Sequence, residues 1–343
     1  MTEKFRFVRR YQRPKTVKPQ MKPPAPSERA AALTGSGTVP IVAQGQEKLS
    51  GFVAIIGRPN VGKSTLMNGL IGKKVAIMSD KPQTTRNRIV GVLNDQRGQA
   101  VFLDTPGIHK PKHKLGEMMV TTAKKTLSEV DLVLYVVDAT AEPGGGEAFI
   151  AGLLKDIQTP VFLIVNKMDL LTQEAALARI GTYSQLLAWQ EVVPVSALKK
   201  SNLDTLKDLI FGRLEPGPLY YPPDAVTDQS EKVLIAELIR EKLLKVTREE
   251  VPHSLAVVIE HWEERKNGTL AMFATIFTER DSQKGILIGK GGQLLKQIGQ
   301  EARLEIEKLL GTQVFLQLWV KVKKDWRQRP DVLRSFGFDD HKD

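Results

Sequence analysis

GFVAIIGRPNVGKSTLMNGLIG, residues 51–72, decides the fold. The first six residues read as a short apolar strand, residues 57–64 form a glycine-bearing loop, and the rest has the character of a helix. That order is the context of a phosphate-binding loop. Gly57 and Gly62 let the backbone turn so that consecutive N–H groups from Asn60 and Val61 through Thr65 face an anion, and the helix adds its positive end. Lys63 is placed to reach the β and γ phosphates of a nucleotide, and Ser64 offers a hydroxyl to a magnesium ion.

Further motifs follow in order. QAVFLDTPG, residues 99–107, ends a strand at Asp104, whose carboxylate is placed to hold magnesium through water, and reaches Gly107, whose N–H suits a γ phosphate. PVFLIVNKMD, residues 160–169, ends a second buried strand in Asn166, Lys167 and Asp169. A carboxylate at Asp169 only accepts hydrogen bonds; guanine presents two donors there and adenine none, so the nucleotide is GTP rather than ATP. The Lys167 stem is expected over the base, and Asn166 as a brace for the loop. After the strand EVVPV come Ser196 and Ala197, where a backbone N–H is expected against guanine O6. All of these sit at strand ends, where open α/β sheets bind ligands.

The chain has 343 residues, of which 41% are hydrophobic, enough for two cores. There is no cysteine, which excludes disulfides, thiolate metal sites and thiol nucleophiles. The most apolar stretches, 131–139 and 160–166, fall well short of the ~18 residues that span a membrane. The formal charge is +11, and residues 1–48 carry ten basic against three acidic groups, so most of the excess lies in a Pro-, Lys- and Arg-rich extension. That extension is expected to be disordered. It lacks the apolar core of a secretory signal; a solvated arm touching RNA is the favoured reading, and an organelle transit peptide, against which its prolines and Glu3 speak, stays open as the alternative. The expected divisions are 49–215, a linker over 216–228, a second domain over 229–338, and a tail over 339–343.

The second domain opens with an amphipathic helix, SEKVLIAELIREKLLKV, followed by strands SLAVVIEHWEER and LAMFATIFTER around a KNG turn. GILIGKGGQLLKQIGQEARLEIEKLLG then carries Gly289, Lys290, Gly291 and Gly292 into a long helix. With its apolar offsets and the preceding α-β-β order, this segment resembles a type II KH domain, whose loop backbone meets nucleic-acid phosphates. Lys296 and the basic ending, with Lys321, Lys323, Lys324 and Arg327, are expected to attract phosphate, and Trp326 either to stack on a base or to pack.

The four nucleotide motifs resemble the Ras-like GTPases. Joined to the second domain, GRPNVGKS, QTTR, DTPG and NKMD resemble the Era family of translation-factor-related GTPases over residues 49–338. The resemblance implies an α/β P-loop GTPase (Ras-like) domain followed by a smaller α+β type II KH domain. It makes residues 73–88 and 107–118 the two switches and assigns the magnesium-closing hydroxyl to Thr85, with Thr84 as the alternative. Lys63, Thr85 and Gly107 then carry catalysis; Ser64, Thr85 and Asp104 hold Mg2+. Ile108 stands where Ras has its water-orienting glutamine, so unassisted hydrolysis should be slow. Asn60 implies K+ stimulation, or else braces its loop. The resemblance further implies GTP hydrolysis coupled to binding of the 3′ end of small-subunit (16S) ribosomal RNA and to 30S subunit assembly, in a cytoplasmic monomer with some peripheral association with the inner membrane. Two other classes fit the charge: a membrane-associated signalling switch whose KH-like domain is an adaptor, and a sequence-tolerant RNA chaperone.

Overall fold

The computed structural model describes residues 48–81, 84–108, 114–249 and 251–338. The expectations for residues 1–47, for the middle of the second switch and for the tail lie outside the described residues.

The first domain is an open twisted sheet. Strand β1 (Leu49–Ile56) lies between β3 (Gly98–Asp104) and β4 (Leu132–Asp138), both parallel to it. β2 (Ile89–Asp95) extends one side antiparallel to β3; β5 (Val161–Asn166) and β6 (Glu191–Pro194) extend the other in parallel. The two-residue β7 (Glu215–Pro216) pairs with the start of β1. Alternation along β1 shows why the central strands are apolar throughout: Val53 and Ile55 enter one core, while Ala54 and Ile56 enter the other. The first core is closed by α1 (Lys63–Ile71) and, later in the chain, α5 (Leu203–Phe211), through Leu66, Met67, Leu70, Leu206 and Ile210. The second is closed by α2 (Lys114–Leu127), α3 (Gly145–Leu154) and α4 (Gln173–Ser184), through Ala123, Leu127, Ile150, Leu154 and Tyr183. Each fully buried Leu or Ile contributes ~1.5–3 kcal/mol, so packing on both faces holds the strand ends in fixed positions.

The linker is pinned to the sheet edge. Val92 N donates to Val226 O at 2.9 Å, Asn94 to Ala225 O at 2.8 Å, and Thr227 Oγ1 to Val90 O at 2.7 Å. These bonds satisfy part of the free edge of β2, which explains how a Pro-rich segment comes to be ordered.

In the second domain α6 (Glu231–Val246) precedes β8 (Ala256–Glu264) and β9 (Leu270–Thr278), an antiparallel pair. Then follow α7 (Asp281–Ile288), α8 (Gln293–Leu310), β10 (Val314–Val322), which is parallel to β9, and α9 (Pro330–Ser335). The sheet order is β10-β9-β8. Ile298, Ala302 and Ile306, each four residues apart on α8, pack with Ile235 and Ile239 of α6 against Met272, Ala274 and Ile276 on one sheet face.

Candidate nucleotide site and its link to the second domain

The phosphate loop joins β1 to α1. Asn60 (φ 66) and Gly62 (φ 98) flank Val61 at positive φ, an alternation that turns backbone amides toward one point. A Cβ at Gly62 would stand 2.3 Å from Asn166 Nδ2, so only glycine permits that close approach. Asn60, Gly62, Lys63, Ser64, Thr65, Thr84, Thr85 and Gly107 line one cleft. Residues spread over nearly fifty sequence positions thus converge because β1 and β3 are neighbours.

Inside the cleft, Lys63 Nζ donates to the carbonyls of Arg58 at 2.8 Å and Gly57 at 3.2 Å. Burial lowers the Lys63 pKa to about 8, partly opposed by Asp104. An anionic phosphate between these amides and the ammonium would restore its full charge. Asp104 is buried, and burial pushes its carboxyl up to about 6 against the pull of Lys63 and the hydroxyls of Ser64 and Thr85. Ser64 Oγ donates to Asp104 Oδ2 at 2.6 Å, and Ser64 Oγ and Thr85 Oγ1 lie 3.0 Å apart. Asp104 Oδ1 is buried with no hydrogen-bond partner.

Two hydroxyls and a carboxylate with an unsatisfied oxygen form an all-oxygen donor set suited to a hard cation such as Mg2+. Among the described residues there is no group of three or more His, Cys, Asp or Glu side chains able to hold a metal ion. With one carboxylate at this donor set among the described residues, water and phosphate oxygens suit the remaining positions of such a cation. The structure places Thr85 at this donor set, while Thr84 turns its hydroxyl onto Lys81 O at 2.6 Å.

The base end is built from three strand exits. Asn166, buried at the end of β5, donates to Val61 O at 2.8 Å and accepts from Ala197 N at 2.9 Å, tying the phosphate loop to the β6–α5 loop. Asp169 accepts from Ser196 Oγ at 2.5 Å, and Lys167 donates to Asp138 Oδ2 at 2.5 Å. Lys167 sits at φ 68, a conformation that directs the chain sharply out of the strand. Ile108 is buried and its N–H donates to Gly57 O at 3.1 Å, so the side chain directly after Gly107 turns away from the cleft.

Several contacts that matter cannot be read from the motifs. Arg86 is buried and extends into the second domain, where it donates to Leu255 O, to Pro252 O at 3.2 Å and to His253 O at 3.2 Å. Burial, reinforced by nearby Arg240, lowers its pKa to about 9. Arg240 of α6 donates to Thr84 O. Three consecutive residues therefore divide their roles: Thr84 is held by the second domain, Thr85 faces the cation site, and Arg86 enters the second domain. Lys74 adds a bridge to Glu241 at 2.6 Å and Glu305 at 2.5 Å. A lone arginine in an aperiodic loop gives no signal of such a partner.

In the second domain Gly289, Lys290, Gly291 and Gly292 form the turn between α7 and α8, with all three glycines at positive φ (71°, 59° and 79°). Lys290 and Lys296 are exposed, as are Lys321 and Lys324; Lys323 is half-buried. Two expectations are corrected here. Trp326 is not a stacking surface: it is fully buried, donates from Nε1 to Ser254 O at 3.0 Å, and packs with Leu115 and Met119 of α2. It also lies 5.7 Å beneath the Arg86 guanidinium. Its flanking charges suggested a wet surface, whereas the following helix folds the ring inward. Arg327 is held by Glu279 at 2.5 Å rather than presented for phosphate.

Residues 52–167 match the family described as 50S ribosome-binding GTPase, and residues 250–327 match the KH domain. The chain is 74% identical over 295 residues to GTPase Era of Heliobacterium modesticaldum, covering 86% of this chain and 99% of that protein. It is 50% identical over 297 residues to GTPase Era of Staphylococcus haemolyticus, covering 87% and 99%. Among solved structures it resembles Era in complex with MgGDPNP and nucleotides 1506–1542 of 16S ribosomal RNA, with TM-score 0.83, 43% identity, and coverage of 85% of this chain and 99% of that one. A variant of Aquifex aeolicus Era bound to GDP·AlF4− matches with TM-score 0.82 and 43% identity, covering 84% and 99%.

Proposed function

The chain belongs to the Era family of GTPases, and from that premise we propose that it is a GTP-driven switch that binds the 3′ end of small-subunit ribosomal RNA and assists 30S assembly and rRNA maturation. The observation that carries this reading is the run Thr84-Thr85-Arg86. A nucleotide with its γ phosphate recruits Thr85, and the same backbone segment is bonded on both sides to the second domain. Closing on GTP therefore cannot leave the KH domain's seating unchanged. The RNA surface is the Gly289–Gly292 turn with the exposed Lys290, Lys296, Lys321 and Lys324 and the half-buried Lys323, whose ammonium groups suit a phosphate chain.

In the GTPase site Mg2+ would be held by Ser64, Thr85 and, through water, Asp104, and when bound it supplies charge neutralisation between the β and γ phosphates. Lys63 neutralises the same phosphates, Gly107 closes over the γ phosphate, and Asp169 reads the guanine edge. With Ile108 turned inward, the position after Gly107 offers no hydrogen bond to orient water, and hydrolysis is slow until the switch loops are ordered. Asn60 Nδ2 donates to Asp80 O at 2.5 Å, bracing the phosphate loop against the first switch; K+ stimulation through the Asn60 amide oxygen rests on the family resemblance and is proposed on that ground. The chain acts as a cytoplasmic monomer. Among the described residues no helix is long and apolar enough to cross a membrane, and any membrane contact would be peripheral, through the basic extension.

The test is binding of an RNA copying the small-subunit 3′ end, against a scrambled RNA, in GTP-analogue and GDP states at fixed salt. Tighter binding of the true sequence in the GTP state is expected. Equal, salt-sensitive binding throughout would reject the switch in favour of sequence-tolerant chaperoning. Removal of residues 1–48 that abolishes vesicle binding and leaves RNA binding unaltered would assign the membrane contact to the extension.

A further inference from the structure

The β8–β10 sheet has two faces, and only one is covered by α6 and α8. On the other, the C-terminal segment covers one end, where Phe336 stacks on Phe277 at 4.6 Å. Beyond that cover, Phe315 and Trp319 of β10 remain 41% and 53% exposed. They share a face with Phe273 of β9 and His261 of β8, as the strand register requires. His261 and Phe273 lie 5.7 Å apart, Phe273 and Phe315 6.1 Å, and the Arg265 guanidinium sits 4.5 Å over Phe315. Rings left this exposed on a sheet lose hydrophobic stabilisation unless something covers them.

We infer that this face is a stacking platform on which single-stranded RNA continues after leaving the Gly289–Gly292 turn. The inference rests on the RNA-binding reading above and extends it to a second surface. Phe315 and Trp319 are four residues apart on one strand, a separation of about 13 Å, which leaves room for successive bases between and upon them. Sheets bearing aromatic side chains stack two or three bases in this manner, and base–ring stacking tolerates any sequence.

Charge and continuity favour RNA over a protein or a second copy of the chain. The rings are interleaved with the cations Arg265 and Lys321. The acids of this face lie on β8: Glu260 is 3.3 Å from Lys321, and Glu263 is 3.1 Å from His261. A phosphate chain is thereby steered along β10, the edge strand. That strand also packs through Leu318 against Gly299 of α8, the helix that the Gly289–Gly292 turn opens.

The experiment uses the full chain and Phe315→Ala/Trp319→Ala. Both rings are exposed, so the variant should fold, checked by an unchanged melting temperature and GTPase rate. Two RNA probes are compared in the GTP-analogue state: a four-nucleotide strand, the length a KH turn clamps, and the same strand extended by six nucleotides. The expected result is that the variant binds the short RNA within twofold of wild type and the extended RNA at least tenfold more weakly, with Trp319→Phe restoring most of the loss. The extended RNA should also quench Trp319 emission. Equal affinity of variant and wild type for the extended RNA would overturn the platform while leaving the RNA-binding reading standing. Failure of wild type to bind either RNA would remove that reading and the platform with it. Dimerisation of wild type that the variant abolishes would assign the face to a second copy and overturn the proposal.

Discussion

Asp104→Asn should make the nucleotide-free protein more stable and at the same time remove its activity. The Asp104 carboxyl stands at about 6 in the folded protein against an ordinary value of 3.8, with burial as the main cause. The folded state therefore holds this proton more tightly than the unfolded state does. Stability from this group is full below pH 3.8 and is lost as pH rises through 6. That difference corresponds to about 3 kcal/mol at neutral pH. Replacing the carboxylate by an amide of the same shape removes the burden, but it also takes a counter-charge from Lys63, so a net gain of about 1–3 kcal/mol is expected. At about 2–4 °C per kcal/mol for a domain of this size, the GTPase-domain transition should rise by roughly 2–12 °C.

The assay is thermal unfolding of wild type and variant at pH 5 and 7.5 in chelator, then with Mg2+ and a non-hydrolysable GTP analogue. In chelator the variant's advantage should be largest at pH 7.5 and shrink toward pH 5. With Mg2+ and analogue, wild type should gain strongly and the variant little, with GTP turnover falling by at least a hundredfold. A variant less stable than wild type at pH 7.5 without Mg2+, or one stabilised equally by the magnesium nucleotide, would refute the assignment of Asp104 as the desolvated cation ligand.

Other perturbations follow from individual contacts. Arg86→Ala orphans the carbonyls of Pro252, His253 and Leu255, at ~1–3 kcal/mol per unsatisfied group before water enters; GTP hydrolysis should survive while the GTP-versus-GDP difference in RNA affinity collapses, as read by fluorescence anisotropy. Asn166→Ala cuts the tie between Val61 O and Ala197 N, and guanine-nucleotide affinity should fall by about 2–3 kcal/mol in calorimetry. Asp169→Asn offers a donor where guanine also donates, so GTP should weaken and xanthosine triphosphate, which has an acceptor there, should gain in competition binding. Replacing KCl by NaCl at constant ionic strength should slow turnover, and Asn60→Ala should abolish the difference.

Much of this protein was legible as text because phosphate and guanine recognition use backbone geometry and short fixed spacings. Gly57 to Ser64 specify a loop whose shape follows from local torsions, and Asp169 accepts hydrogen bonds in any context. Apolar runs at 51–56, 131–139 and 160–166 announced strands buried on both faces, since their side chains must enter cores on either side. Likewise the three glycines of Gly289–Gly292 announce a turn that only residues tolerating positive φ adopt.

Folding decided the rest, because it depends on which distant segments meet. Trp326 stands among lysines and arginines in the chain, yet α9 and α2 fold over it and Ser254 O takes its N–H. Arg86 has no periodic neighbours, and its role exists only because the Pro252–Leu255 carbonyls stand opposite the first switch. A sequence motif records what a residue offers; burial, ion pairing and the seam between two domains are properties of the partner it finds. The chemistry of the nucleotide site is thus local and written in the chain, whereas its tie to the second domain, a desolvated guanidinium on three backbone carbonyls, exists only where distant segments meet.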